Sequence, residues 1–92
     1  MVSDRPKRRG DLNARLVDGE MVVLDRHAER IHQLNSTARF IWDHCDGDRS
    51  VAQIADGMME AFEVDGATAA RDVADTVRQF AELGLLDGRP RQ

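Results

Sequence analysis

Apolar positions change their rhythm about a third of the way along this chain. Up to residue 34 they come in short runs broken by turn residues; beyond it they recur every three or four positions. Asp18-Gly19 is a strong hairpin signal, because both central positions of a tight hairpin turn need positive φ. It separates a strand over 12–17 from one over 21–24, and a second turn over 25–29 leads into a strand over 30–34. With period two, Ile31 and Gln33 share one face of that third strand, and His32 and Leu34 share the other. The pattern predicts an antiparallel meander with the third strand at an edge.

The remainder reads as three helices. Asn35 or Ser36 can cap the first, over 36–45, whose apolar stripe is Ala38, Ile41, Trp42 and Cys45. Asp46-Gly47 ends it. Ser50 followed by Gln53 makes a capping box for a second helix over 51–62, with Val51, Ile54, Ala55, Met58, Ala61 and Phe62 toward the core. A third begins near Ala67 and carries Ala70, Val73, Ala74, Val77, Phe80 and Ala81 at helical spacing. Gly84 stands where a left-handed cap is needed, with Leu85 placed to fold back on Phe80. The fold class expected is α+β, three antiparallel strands followed by three helices. The first two helices, joined by a short turn, have helix-turn-helix proportions.

Ninety-two residues make one domain. Residues 1–10 read as a flexible basic arm, 11–87 as the folded domain and 88–92 as a flexible tail. Arg5, Lys7, Arg8 and Arg9 against Asp4 give the arm +3, and Arg89 and Arg91 give the tail +2; with −4 overall, residues 11–87 carry −9. A body this acidic repels a phosphate backbone. The second helix, where a DNA reader of this type places basic or amide side chains, offers Gln53, Asp56 and Glu60. No nucleic-acid partner is expected, which disfavours a DNA-binding winged-helix regulator. No apolar run reaches the ~20 residues that span a bilayer, so no membrane role is expected. The single cysteine has no internal disulfide partner, and the expected location is the cytoplasm.

No catalytic or metal-binding constellation emerges. His27 falls in a turn, His32 on a strand and His44 at a helix end, with no Cys-x-x-Cys or His-x-x-x-His spacing to build a zinc site. Cys45 lies on an apolar stripe at a helix C-terminus, which suits a buried small hydrophobe better than a thiolate nucleophile. Ser36, Thr37 and Ser50 read as caps, and the scattered glycines form no phosphate loop. Trp42 reads as core. One of Met58 and Met59 must point outward from a regular helix. The expectation is a non-enzyme without cofactor or metal.

An ordered set of residues then narrows the class. It comprises Asp18-Gly19-Glu20, Val22-Val23-Leu24, Leu34-Asn35, Thr37-Ala38, Ile41-Trp42, Asp46-Gly47, Ser50-Val51, Ile54, Phe62, Asp72-Val73, Phe80 and Leu83-Gly84-Leu85-Leu86. At this spacing, over roughly residues 15–87, the chain resembles the PqqD-like family, the fold also called a RiPP recognition element. The resemblance implies a winged helix-turn-helix that binds the leader segment of a ribosomally made precursor peptide. The leader adds as a strand beside the third strand and lies against the third helix. A partner enzyme, often a radical S-adenosylmethionine protein, then modifies the peptide core. Carried over by position, the peptide-binding residues are Arg30, Ile31, His32, Gln33 and Leu34 on the strand, with Arg71, Asp75, Arg78 and Gln79 on the helix. Arg71, Asp75, Arg78 and Glu82 form one helical stripe and Asp72, Thr76 and Gln79 another, and the sequence leaves open which faces the groove. The chain departs from many members in carrying Ile-His-Gln, without an aromatic residue, just before Leu34-Asn35, and it contains no tyrosine. The broad family is therefore the expectation, rather than the pyrroloquinoline quinone pathway alone. A non-catalytic scaffold that docks partners through a helical face is the remaining rival, and the sequence does not fix an oligomeric state.

Overall fold

The computed structural model describes residues 5–87. Three strands, β1 (Asn13–Val17), β2 (Glu20–Asp25) and β3 (Arg30–Leu34), precede three helices, α1 (Ser36–Asp43), α2 (Val51–Phe62) and α3 (Gly66–Glu82). The sheet is antiparallel in the order β1-β2-β3, so β1 and β3 are both edges. Asp18 (φ 53°) and Gly19 (φ 83°) form the two-residue turn that their sequence demands. The pairing Val17↔Glu20 through Asn13↔Leu24 follows from that turn. Across the second turn, Asp25↔Arg30 through Met21↔Leu34 sets β3.

β2 and the end of β3 bury one face of the sheet, while β1 is exposed along its length. Met21, Val23 and Leu34 are buried against the helices and belong to the core with Ile41, Trp42, Cys45, Ile54, Met58, Val73, Val77, Phe80, Leu85 and Leu86. Trp42 is 3% exposed and meets Phe80 edge-to-face, with ring centroids 5.4 Å apart, so it is a core residue. Met58 is buried and Met59 is 38% exposed, the division that a regular helix requires.

The helix ends follow their local chemistry. The Asn35 side chain accepts from the Ala38 N–H at 2.8 Å, which decides the α1 cap in favour of Asn35. The helix stops at Asp43, two residues short of the expected end; His44 is its C-cap, and its ring Nδ1 lies 2.8 Å from the Phe40 carbonyl. Ser50 and Gln53 exchange both bonds of the capping box. The Asp65 carboxylate caps α3 through the Thr68 N–H at 2.7 Å. At the other end Gly84 takes φ 76°, Leu85 N–H donates to Phe80 at 2.9 Å and Gly84 N–H to Ala81 at 3.0 Å, completing a Schellman motif.

Two expectations need correction. Ala61, Ala70 and Ala74 are exposed, and it is Ala69 that is buried with Val73, Val77 and Phe80, so the α3 stripe is rotated from the one expected. Alanine gives a weak hydrophobic signal, whereas the larger residues fix which face turns inward. The second correction concerns the basic arm, because residues 6–9 are built into the fold. Pro6 is buried, Arg8 N–H donates to Cys45 (2.9 Å) and Arg9 N–H to Leu85 (3.0 Å), while Gly47 and Asp87 donate to Pro6 and Lys7 at 2.9 and 2.7 Å. The segment thus runs between the α1–α2 turn and the stretch after α3. Arg8 closes the end of α1 by donating to the carbonyls of Trp42 (2.8 Å) and Asp43 (3.0 Å), where a cation is favoured. Residues 1–4 of the expected arm and the expected tail over 88–92 lie outside the described residues.

Candidate functional site

The free edge of β3 and the exposed surface of α3 are the two halves of the expected site. Along β3 the side chains alternate. Arg30, Ile31 and Gln33 are exposed, His32 is half-buried and Leu34 is buried in the core. Ile31 is 71% exposed, the most of any large hydrophobic residue described, and stands across the pair from Leu24 on the outer face. Gln33 donates from its side-chain amide to Glu20. Leu34 can therefore offer a ligand its backbone but not its side chain. An edge strand leaves alternate N–H and C=O groups unpaired, and these are what an added strand uses.

On α3, Arg71, Asp75, Arg78 and Gln79 are all exposed, while Asp72 and Thr76 on the neighbouring stripe are half-buried. Arg78 pairs with Asp75 one turn away, so part of the helix charge is internally compensated. The structure does not bring this helix against the strand. No Cα of β3 lies within 8 Å of one in α3, and α1 is the element adjoining both. The unpaired backbone of β3 and the exposed flank of α3 are thus separate surfaces, each adjoining α1. Sequence periodicity places residues on faces but contains no information on this spacing.

The Asp25 end of the sheet shows what the sequence reading missed. An open concavity of about 300 Å³ is lined by Leu24, Asp25, Arg26, Glu29, Arg30 and Ile31, so it adjoins the start of the β3 edge. Asp25 is only 3% exposed. Burial pushes its carboxyl up, but the Ala28 N–H at 3.3 Å and the Arg9 guanidinium at 3.1 Å outweigh it and hold the group below the usual carboxylate range. Arg9 also donates to Gly84 O at 2.8 Å, tying β2 to the end of α3. The turn beginning at Asp25 and the basic run near the N-terminus were visible separately; only the fold buries the acid and joins the two.

Among the described residues no three His, Cys, Asp or Glu side chains come together to hold a metal ion. Burial, with Asp46 adding to it, pushes the Cys45 thiol up to about 12, far from the range of a nucleophilic thiolate. No helix among the described residues is long and apolar enough to cross a membrane.

Comparison with known proteins gives this geometry a context. Lasso peptide synthetase B1 complexed with the leader peptide superposes with a TM-score of 0.80 at 28% identity, over 91% of this chain and 99% of that one. TbiB1 in complex with the TbiA(beta) leader peptide gives 0.79 at 25% identity, over 92% and 99%. The PqqD truncation of Methylobacterium extorquens PqqCD, a stand-alone RiPP recognition element solved in solution, gives 0.76 at 21% identity over 96% of each chain, a likeness of fold alone. No curated protein matches the sequence. The family model described as coenzyme PQQ synthesis protein D (PqqD) matches residues 20–86, from the second strand to the last buried leucine. The chain belongs to the PqqD family.

Proposed function

We propose that this protein is a non-catalytic adaptor that binds the leader of a ribosomally made precursor peptide as an added strand on β3 and presents it to a modifying enzyme. The observation that carries the reading is the free edge of β3, in a fold similar to two proteins solved with leader peptides. Main-chain hydrogen bonds to an added strand supply affinity that depends little on sequence, and flanking side chains supply selectivity. Arg30, Ile31, His32 and Gln33 line the edge, with Leu34 contributing backbone. Arg71, Asp75, Arg78 and Gln79 form the opposite wall, and the arginines suit acidic leader residues. Ile31, standing out of the sheet, suits an apolar anchor. Holding the leader raises the local concentration of the core peptide at the enzyme. The enzyme is a radical S-adenosylmethionine protein in this reading, and the complex works in the cytoplasm.

The test is a displayed library of randomised 15-residue peptides selected on the immobilised full chain. Selection of an extended motif with alternating side-chain preferences, lost on substituting β3, supports the adaptor. No selectable peptide, together with no binding of precursor peptides encoded in neighbouring reading frames, overturns it.

A further inference from the structure

We infer that His32 is a specificity-determining residue. It selects a leader residue with a neutral hydrogen-bonding side chain, a hydroxyl or a carboxamide, at the position lying beside it on the added strand. The inference rests on the strand-addition reading above and deepens it. His32 lies opposite Val23, which is fully buried, on the sheet face turned toward the helices. Its Nε2 is shut off from solvent and has no hydrogen-bond partner among the described residues. Buried polar atoms in folded proteins are nearly always paired, so an unpaired one at a binding edge marks where a partner is to be supplied.

The described residues offer none. On this face Leu34, Val23 and Met21 are apolar, and Arg30, which flanks the ring on its other side along the strand, is exposed and makes no bond to Nε2. The buried acid on the same face, Asp25, is already occupied by Arg9 and the Ala28 N–H. Nε2 has no accessible surface in the unbound chain, so an added strand reaches it only when the ring turns toward the free side of β3. In an antiparallel addition, the residue directly beside His32 places its side chain on the same face, with Cβ atoms about 5 Å apart. A short hydroxyl or amide side chain spans that distance to Nε2. A carboxylate or ammonium reaching inward past Arg30 to Nε2 loses hydration against Val23, Leu34 and Met21, which disfavours charged residues. Aliphatic residues leave Nε2 unpaired.

The experiment uses the randomised 15-residue library on three full-length proteins: wild type, His32→Phe and His32→Gln. Thermal unfolding confirms that each variant is folded. Wild type should select Ser, Thr, Asn or Gln at one fixed position of the motif, His32→Phe should replace that preference by apolar residues, and His32→Gln should keep it. For a wild-type-selected peptide, changing that threonine to valine should weaken binding about tenfold on wild type and less than twofold on His32→Phe, the scale of one buried hydrogen bond. Peptides selected by all three proteins with the same preferences overturn the role of His32 and leave strand addition standing. If no protein selects any peptide, the adaptor reading itself fails, and the His32 inference falls with it. A His32→Phe variant that does not fold is replaced by His32→Leu, read by the same criteria.

Discussion

A proline scan of β3 exposes the proposed binding edge through its own alternation. In an antiparallel edge strand, successive N–H groups point alternately to the neighbouring strand and away from it. Ile31 and Gln33 therefore belong to one set and His32 to the other. Proline removes the N–H, so in the set facing β2 it breaks the ladder, and in the set facing outward it removes only a donor for the incoming strand. Ile31→Pro and Gln33→Pro should behave alike and His32→Pro oppositely. For the outward set, losing one backbone hydrogen bond of about 1 kcal/mol weakens a library-selected peptide about fivefold, with little change in Tm. For the inward set, the lost ladder bond and the strain of the ring lower Tm, each kcal/mol amounting to roughly 4–8 °C in a domain of this size. Gln33→Ala controls for the side-chain bond to Glu20, and His32→Phe for the lost imidazole. Fluorescence anisotropy of the labelled peptide and thermal unfolding by circular dichroism give the two readouts. Thermally unperturbed variants that bind within twofold of wild type, or opposite behaviour at positions 31 and 33, would rule out strand addition at this edge.

Other predictions concern the scaffold. Gly84→Ala meets no atom within 4 Å but forces alanine to φ 76°, and should cost about 1 kcal/mol by urea denaturation. Gly47→Ala carries the same backbone cost at φ 85° and brings its Cβ to 3.2 Å from Lys7 Cδ, so it should cost more, with Lys7→Ala removing the Cδ and Cγ part of the excess. Because the Asp25 carboxyl titrates lower when folded than when unfolded, its stabilisation is present above about pH 4 and fades as pH falls through the depressed folded value. Asp25→Asn should therefore flatten the acid limb of a plot of urea midpoint against pH, and an unchanged slope contradicts the pairing with Arg9. Cys45, fully buried and with its thiol pushed up to about 12, should resist iodoacetamide at pH 8 until urea unfolds the chain, as mass spectrometry will read; rapid native labelling contradicts its burial.

What the sequence made legible was local chemistry. Asp18-Gly19 demands its turn, Ser50 and Gln53 cap each other three residues apart, and Gly84 precedes a leucine that folds back on Phe80. Such features need no knowledge of the rest of the chain. The edge position of β3 follows almost as directly, because short turns in a meander make sequence neighbours spatial neighbours. Long-range pairing was not legible. Arg8 and Arg9 read as solvated charge, yet the first closes α1 and the second holds a buried Asp25 while reaching Gly84. Nor did the alanines of α3 reveal which of two adjacent faces was inward; Val73, Val77 and Phe80 decide it. The separation of β3 from α3, both of which adjoin α1, is a matter of tertiary packing that no local pattern encodes.

The sheet offers two free edges, β1 and β3, and the leader is assigned to β3. Titration of ¹⁵N-labelled full-length protein with a library-selected peptide, followed by amide shifts, tests that choice most directly. Saturating shifts concentrated at Arg30–Leu34, with a second set along one exposed flank of Gly66–Glu82, are the predicted result. Saturating shifts at Asn13–Val17 with Arg30–Leu34 silent would contradict it.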